Sequence, residues 1–163
     1  MTIYQQHQTN LITTMTSLPQ TIRWNAGELY LLDQTKLPIE VIEEKQESVE
    51  QVWDSIKQLK VRGAPAIGVA AAYGLLVAIR EQTALNKKEL LQEIEVKAEY
   101  LDSARPTAVN LKWALNRMLK SAKTFSGDDS KALYRHLEEE AIRIHEEDVQ
   151  LCLKMGINAV LLI

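Results

Sequence analysis

Apolar and polar positions alternate with a period of two near the start of the chain, and a helical period replaces it after residue 47. Residues 21–24 alternate as a strand does, Asn25-Ala26-Gly27 signals a turn, and residues 28–33 form a second candidate strand. After a short linker, residues 39–43 form a third. Short strands joined by short turns predict a small antiparallel sheet.

The helical part begins with strong start signals. Ser48 followed three residues later by Gln51 fits a capping box. A second helix is predicted from about Pro65 to residue 80, because proline lacks the N–H that would go unpaired in a first turn. Asn86 and Glu89 predict the start of a third helix. The predicted inward faces of the first and third helices are Val49, Val52, Trp53, Ile56 and Leu59, and Leu90, Ile94, Ala98 and Leu101.

Two further helices complete the pattern. The fourth is predicted over residues 107–123 with Thr107 as its cap, and the fifth over residues 130–155 with Gly156 at its C-terminus. Their predicted inward faces are Leu111, Leu115, Met118 and Ala122, and Leu133, Leu137, Ala141, Ile144 and Leu151. The sequence therefore predicts an α+β fold, a small N-terminal antiparallel β-sheet followed by a five-helix bundle.

Both ends of the chain differ from this pattern. Residues 1–20 are polar and predict a flexible N-terminal arm, which leaves residues 21–163 as one domain. Residues 159–163 are a bare apolar run, and such a surface needs a partner. We expect this run either to dock on the domain or to mark a chain that is cut short.

Composition and charge narrow the class of protein. The 163 residues are 46% hydrophobic and 25% charged, as is usual for a globular domain. The net charge of -3 gives no general attraction to nucleic acid or acidic membranes, so we expect neither as a partner. The uncharged run 63–79 is shorter than the roughly 20 residues that span a bilayer, and it contains Pro65, Gly68 and Gly74. It is predicted to be a buried helix.

The cysteine and histidine content favours a protein of a reducing compartment that has no metal site. The single cysteine, Cys152, excludes an internal disulfide, and the three histidines are scattered, so we expect a cytoplasmic protein without bound metal. Cys152 is predicted to be a small buried apolar residue rather than a nucleophile. The acidic clusters 138–140 and 146–148 are predicted to be a solvated face, because consecutive helical residues point in different directions.

The run Val61-Arg62-Gly63-Ala64-Pro65-Ala66-Ile67-Gly68 is the first candidate site. A helix N-terminus carries partial positive charge and free N–H groups, Gly63 lets a ligand approach the backbone, and Arg62 adds a full charge. Together they suit a phosphate or another anion. The alternative is that the small residues serve only close packing against another helix.

The run Ala104-Arg105-Pro106-Thr107-Ala108-Val109-Asn110-Leu111 is the second candidate. The guanidinium of Arg105 precedes a predicted helix and could hold a phosphate or carbonyl oxygen bidentately. Alternatively, Arg105 caps a neighbouring helix or pairs with a surface glutamate. Two arginines at two helix starts favour a shared anion site, although the sequence does not show that they meet.

These two runs, with Thr21-Ile22-Arg23-Trp24 and Leu32-Asp33-Gln34, resemble in type and order the methylthioribose-1-phosphate isomerases of methionine salvage. That family is related to the alpha, beta and delta subunits of initiation factor 2B. The resemblance covers about residues 20–160. It implies an N-terminal sheet-and-helix domain, a C-terminal Rossmann-like domain, and a homodimer.

The implied reaction interconverts 5-methylthioribose 1-phosphate and 5-methylthioribulose 1-phosphate, with no cofactor. Phosphate on the anomeric oxygen keeps the sugar ring from opening as in ordinary aldose isomerases, so positioned donors in a dry site must stabilise the charged intermediate. The resemblance assigns substrate binding to Arg62, Gly63, Ala64 and Arg105. The sugar phosphate is therefore the expected small-molecule partner.

The family's catalytic cysteine lies in a Thr-x-Cys-Asn-x-Gly segment and its catalytic aspartate lies further on, and neither segment is present in residues 1–163. We therefore expect no catalytic residue in this chain, no turnover by the chain alone, and either a homodimer or a missing C-terminal half. Two alternatives stay open. One is a regulatory or interaction module like the initiation-factor subunits, and the other is an isomerase acting on a different ribose phosphate.

Overall fold

The computed structural model describes residues 19–160, and the predicted arm at 1–20 lies almost wholly outside them. Three strands precede five helices, which confirms the predicted α+β class. A single 3-10 turn, Arg80–Gln82, follows the second helix. The strands and helices are β1 Ile22–Asn25, β2 Glu28–Leu32, β3 Glu43–Gln46, α1 Val49–Lys57, α2 Ala64–Ile79, α3 Lys87–Asp102, α4 Val109–Thr124 and α5 Ser130–Val160.

The sheet is antiparallel throughout, with strand order β1-β2-β3. The predicted β1–β2 turn is confirmed, and both its central residues have positive φ, 51° at Ala26 and 80° at Gly27. The third strand was predicted four residues too early. Ile39 and Val41 are 90% and 64% exposed, and β3 begins only at Glu43, opposite Leu32. Apolar character suggested a strand there, but no neighbour among residues 19–160 covers these side chains.

At the start of helix α1, one of the two hydrogen bonds of the predicted capping box is present. The Ser48 side chain accepts a hydrogen bond from the Gln51 backbone N–H, whereas the Gln51 side chain accepts from Glu47, one residue before the predicted partner. The prediction that Leu59 faces inward was wrong. The helix ends at Lys57, and Leu59 has a φ of 59° and is 38% exposed. The helical period therefore stops before Leu59.

Helix α2 is the centre of the bundle, as its uncharged sequence predicted. Its side chains are buried from Ile67 to Val77 without interruption. Two glycines let neighbouring helices approach. A Cβ added at Gly74 would lie 2.5 Å from Val52 Cγ1 on α1, and one added at Gly68 would lie 2.8 Å from the Asn110 carbonyl oxygen on α4. The window Ala64–Gln82 is long and apolar enough to cross a membrane, but 67% of it is buried in the domain, as in a core helix.

Helices α3 and α4 carry the predicted inward faces. The capping box of Asn86 and Glu89 is present, and all four predicted residues of each face are buried. The predicted start of α4 was wrong. The cap position is Ala108 and not Thr107, and among residues 19–160 no side chain makes a capping hydrogen bond here. The free N–H groups of this helix start therefore stay available.

Helix α5 is longer than its sequence signals predicted. It passes through Gly156 and continues to Val160, so the glycine does not end it. Leu133, Leu137, Ala141 and Ile144 are buried as predicted. Leu151 is 56% exposed and Cys152 is also exposed, which contradicts both predictions of burial. The last part of the predicted apolar run, residues 161–163, lies outside the described residues.

Candidate functional site

The first candidate site is the N-terminus of α2. Gly63 precedes the helix with a φ of 94°, a value that glycine adopts at little cost. The first backbone bond here joins Ile67 N–H to the Gly63 carbonyl at 3.0 Å, and no side chain in the described part of the chain caps the helix. The amides of Ala64 and Ala66 precede that bond, so they are free for an acceptor outside the helix. This end of α2 therefore carries uncompensated positive potential.

Arg62 lies immediately before this helix start and is exposed. Its Nε donates a hydrogen bond to the Leu59 carbonyl oxygen at 3.2 Å, which holds the side chain beside the turn. Within residues 19–160, no carboxylate pairs with this guanidinium. Its charge is therefore available to a ligand.

Arg105 lies in the turn between α3 and α4. The turn is held by Arg105 N–H to the Asp102 carbonyl at 3.3 Å and by Ala108 N–H to the Arg105 carbonyl at 2.9 Å. The side chain is half-buried, and among residues 19–160 its guanidinium has neither a hydrogen-bond partner nor an ion-pair partner. In the described part of the chain, neither the helix-capping nor the glutamate-pairing alternative occurs.

Packing at Gly68 brings the two helix starts together. Gly68 is in the second turn of α2, and the backbone of Asn110 in the first turn of α4 lies directly against it. A side chain at residue 68 would separate these helices. The close-packing interpretation of the small residues is therefore confirmed for Gly68, and it positions the helix starts that follow Arg62 and Arg105 next to each other.

A cleft of about 410 Å³ adjoins this junction between α2, α4 and α5. Its apolar lining includes Pro65, Val69, Val109 and Trp113. The α5 wall adds Leu151 with the carboxylates of Glu147 and Asp148. Sequence periodicity did not reveal this cleft, because it forms only when three helices that are distant in sequence pack together.

A second cleft, of about 640 Å³, lies between β1, α2 and α5. Trp24 stacks on Tyr73 with ring centroids 4.9 Å apart, and the Tyr73 hydroxyl lies 3.2 Å from His145 Nδ1. Burial, with smaller effects from Glu146 and Glu138, raises the pKa of Tyr73 to about 12. Burial also lowers the pKa of His145, which favours its neutral form. Sequence reasoning missed this pair, since the two residues lie on different helices.

The prediction that the acidic cluster 138–140 is a solvated face was wrong for Glu140. Its side chain is buried and accepts hydrogen bonds from Arg117 and Arg143. Glu138 accepts from Trp24 Nε1 at 2.9 Å. Burial raises the pKa of Glu140, but the two guanidinium groups outweigh burial and leave it lowered. These carboxylates fix α5 against α4 and β1.

Comparison with known proteins places these features in a family. The model of the initiation factor 2 subunit family matches residues 60–163. The chain is 47% identical to 5-deoxyribose 1-phosphate isomerase from Clostridium botulinum (strain Loch Maree) over 144 residues, which is 87% of this chain and 41% of the relative. The chain thus spans about two fifths of the length of that curated relative.

Two solved structures share the fold. One is 5-methylthioribose 1-phosphate isomerase from Pyrococcus horikoshii, with a TM-score of 0.81 and 42% identity over 86% of this chain and 39% of that one. The other is translation initiation factor eIF-2B, subunit delta, from A. fulgidus, with a TM-score of 0.74 and 39% identity over 81% of this chain and 38% of that one. The similar proteins therefore include sugar-phosphate isomerases and an initiation-factor subunit.

Proposed function

This chain belongs to the initiation factor 2 subunit family, and from that premise we propose that it supplies the N-terminal, substrate-binding part of a sugar-phosphate isomerase. The proposed substrate is 5-methylthioribose 1-phosphate, which isomerises to 5-methylthioribulose 1-phosphate in methionine salvage. 5-Deoxyribose 1-phosphate, named in the Clostridium relative, is the alternative of the same chemical class. Both are ribose 1-phosphates that lack the 5-hydroxyl, which is replaced by a methylthio group in the first and by hydrogen in the second.

The observation that carries this proposal is the pair of helix starts preceded by arginines without carboxylate partners among residues 19–160. A phosphate at a helix N-terminus accepts from free amides and is favoured by the helix dipole. Arg62 supplies charge at the α2 start, where Gly63 and Ala64 expose backbone. Arg105 supplies it at the α4 start. We assign these four residues to binding the phosphate and hydroxyls of the sugar.

The chemistry of these residues suits them to binding the substrate and not to proton transfer. Arginine stays protonated at any working pH, so it binds and orients an anion but does not exchange protons with it. No residue among 19–160 is assigned to proton transfer. The proposal is that this part of the protein binds and orients the sugar phosphate.

Calorimetric titration of the purified chain with 5-methylthioribose 1-phosphate tests the proposal. Arg62→Met and Arg105→Met are each expected to weaken binding about tenfold or more, because each removes a charge-assisted hydrogen bond. Arg135→Met is the matched control, since Arg135 on α5, like Arg62, is an exposed arginine without a carboxylate partner in the described residues. Equal affinity of all three variants and the parent chain would contradict the assigned site. The same samples test whether the chain turns over the sugar.

A second candidate function is an interaction module without a sugar ligand. The likeness to the delta subunit of eIF-2B favours it, because that protein is named as a translation factor. This function predicts no heat of binding with either sugar phosphate at millimolar concentration. It also predicts that adding either sugar phosphate leaves the thermal stability of the parent chain, Arg62→Met and Arg105→Met unchanged.

A further inference from the structure

A cleft lined by basic side chains lies where α2 ends and α5 begins, away from the candidate phosphate site. Its volume is about 350 Å³. The lining residues come from the β1–β2 turn, the end of α2 and the first turns of α5, and they are Gly27, Arg80, Thr83, Lys131, Tyr134 and Arg135. Helix α2 has 16 residues, so about 24 Å of helix axis separates this cleft from the start of α2.

The positive charge of the cleft is not neutralised by ion pairs within the described part of the chain. Among residues 19–160, Lys131 and Arg135 have no ion-pair partner. Arg80 donates a hydrogen bond from Nη2 to the Glu47 carbonyl oxygen at 3.0 Å, which holds its side chain at the end of α2. Glu81 lies 3.5 Å from Arg80 Nε but is 89% exposed, and such surface pairs are weak. The cleft is therefore positive, although the chain has a net charge of -3.

Nearby carboxylates are already engaged by other groups. Glu28 pairs with Lys45, and Glu138 accepts a hydrogen bond from Trp24 Nε1 at 2.9 Å. Asp129 accepts from two amides in the first turn of α5, at 3.2 and 3.0 Å. An anion that enters the cleft therefore meets cations whose charge these carboxylates do not pair.

The position of Lys131 is unfavourable for the helix that contains it. Lys131 is the second residue of α5, where the helix dipole is positive. Arg135 follows four residues later on the same helix face, where like charges repel. Residues that oppose local electrostatics in this way are typical of functional positions. An anion between these two side chains and Arg80 would remove both penalties.

Tyr134 adds a hydrogen-bond donor beside the cations. It follows Lys131 by three residues, so it lies on the same face of α5, half-buried against the core. Its hydroxyl makes no hydrogen bond among residues 19–160. Burial, with smaller effects from nearby charges, raises the pKa of Tyr134 to about 12, which keeps the hydroxyl protonated at neutral pH. A free phenol donor next to three cations suits a phosphate oxygen.

We propose that this cleft binds the diphosphate group of a small molecule. Three cations exceed the charge of about -1.5 to -2 that a phosphate monoester carries at pH 7, and a second phosphate group supplies further negative charge. The volume of about 350 Å³ is near the lower end for small-molecule sites, which suits a compact anion. This site is separate from the one proposed for the sugar phosphate, and neither depends on the other.

Backbone amide NMR of the full chain, titrated with inorganic pyrophosphate, locates the site. We expect saturable shift changes at Gly27, Thr83 and residues 130–135. Inorganic phosphate is expected to bind there about tenfold more weakly, because it lacks the charge-assisted contacts of the second phosphate group. Shift changes confined to residues 62–68 and 105–110 would overturn the proposal, since the anion would then bind only at the starts of α2 and α4.

Variants separate binding in the cleft from general attraction by positive charge. Lys131→Met and Tyr134→Phe are each expected to weaken pyrophosphate binding about fivefold, the second without a change in net charge. Lys120→Met is the matched control, since Lys120 is an exposed lysine on α4 outside the lining of this cleft. If Lys131→Met and Tyr134→Phe both bound pyrophosphate as tightly as Lys120→Met does, the proposal would be wrong.

Arg135→Met distinguishes this proposal from the proposed function. It is expected to weaken pyrophosphate binding about fivefold and to leave the binding of 5-methylthioribose 1-phosphate at Arg62 and Arg105 unchanged. Unchanged pyrophosphate binding by Arg135→Met would contradict the cleft and leave the proposed function untouched.

ADP distinguishes a site for the diphosphate group from a site for the free inorganic ion. ADP is expected to shift the same amides with an affinity within about threefold of that of pyrophosphate, because the half-buried ring of Tyr134 offers a base no open face to stack on. If ADP left these amides unshifted, the assignment to the diphosphate group of a small molecule would fail.

Discussion

Helix α2 and the far end of α5, residues 149–160, are both rich in apolar side chains, yet their surroundings are opposite. Every side chain of α2 from Ile67 to Val77 is buried, whereas every residue of the far end of α5 is exposed. Small residues let other helices cover α2 on all sides. Nothing among residues 19–160 covers the far end of α5. Apolar composition thus favours burial, but packing partners decide it.

The largest predicted difference between these regions comes from truncating one leucine in each. Leu75→Ala is expected to lower the free energy of unfolding by about 3 kcal/mol, because Leu75 is fully buried and its loss leaves a cavity. Leu151→Ala should change it by less than about 0.5 kcal/mol, because Leu151 is 56% exposed. Urea denaturation of both variants measures the contrast. Equal losses would mean that the far end of α5 is packed in solution.

Adding one methyl group to a glycine should destabilise the domain at α2 and stabilise the helix at the far end of α5. Gly68→Ala is expected to destabilise the domain by about 2 kcal/mol, since the new Cβ would lie 2.8 Å from the rigid Asn110 carbonyl. Gly156→Ala meets nothing within 4 Å, so only the helix propensity of alanine acts, which is worth up to about 1 kcal/mol. Thermal melting reports the first effect, and slower amide exchange over residues 150–160 reports the second. A stabilising Gly68→Ala would contradict the close approach of α2 and α4.

The smallest predicted effect concerns the anchored middle of α5. The hydrogen bonds from Arg143 and Arg117 outweigh burial and lower the folded-state pKa of Glu140. A lowered pKa contributes stability above the unfolded value of about 4.3, and that contribution is lost as the pH falls through the folded value. On acidification, Glu140→Gln should therefore lose roughly 1 kcal/mol less stability than the parent chain does. The figure is modest because water screens the exposed Arg143.

Denaturation midpoints at pH 7 and pH 3 measure this effect. Glu139→Gln, on the exposed side of the same helix, is the matched control and should leave the pH dependence of the parent chain intact. If Glu140→Gln showed the full acid loss of the parent chain, the cluster with Arg117 would contribute nothing. The buried middle and exposed end of α5 would then differ only in packing.

The sequence predicted those features that residues close together in the chain create. The capping box of Asn86 and Glu89, the hairpin turn at Ala26 and Gly27, and the start of α2 near Pro65 each depend on residues a few positions apart. The inward faces of α3 and α4 repeat at helical spacing, so the pattern shows which side faces the core, although other helices cover it. The two arginine motifs were also found from the sequence. Caps, turns and periodic faces are local, so a linear pattern contains them.

Tertiary structure decided the features that depend on contacts between different helices and strands. Exposure of Ile39, Leu151 and Cys152, burial of Glu140, and the continuation of α5 through Gly156 all contradicted the sequence pattern. The exposures and the burial depend on whether a distant helix or strand lies against the residue, whereas α5 continues through Gly156 with nothing from residues 19–160 within 4 Å of an added Cβ. The approach of α4 to Gly68 and the cleft beside it are of the same kind. A sequence specifies which side chains can be buried, but desolvation and pairing are settled only by the neighbours that packing supplies.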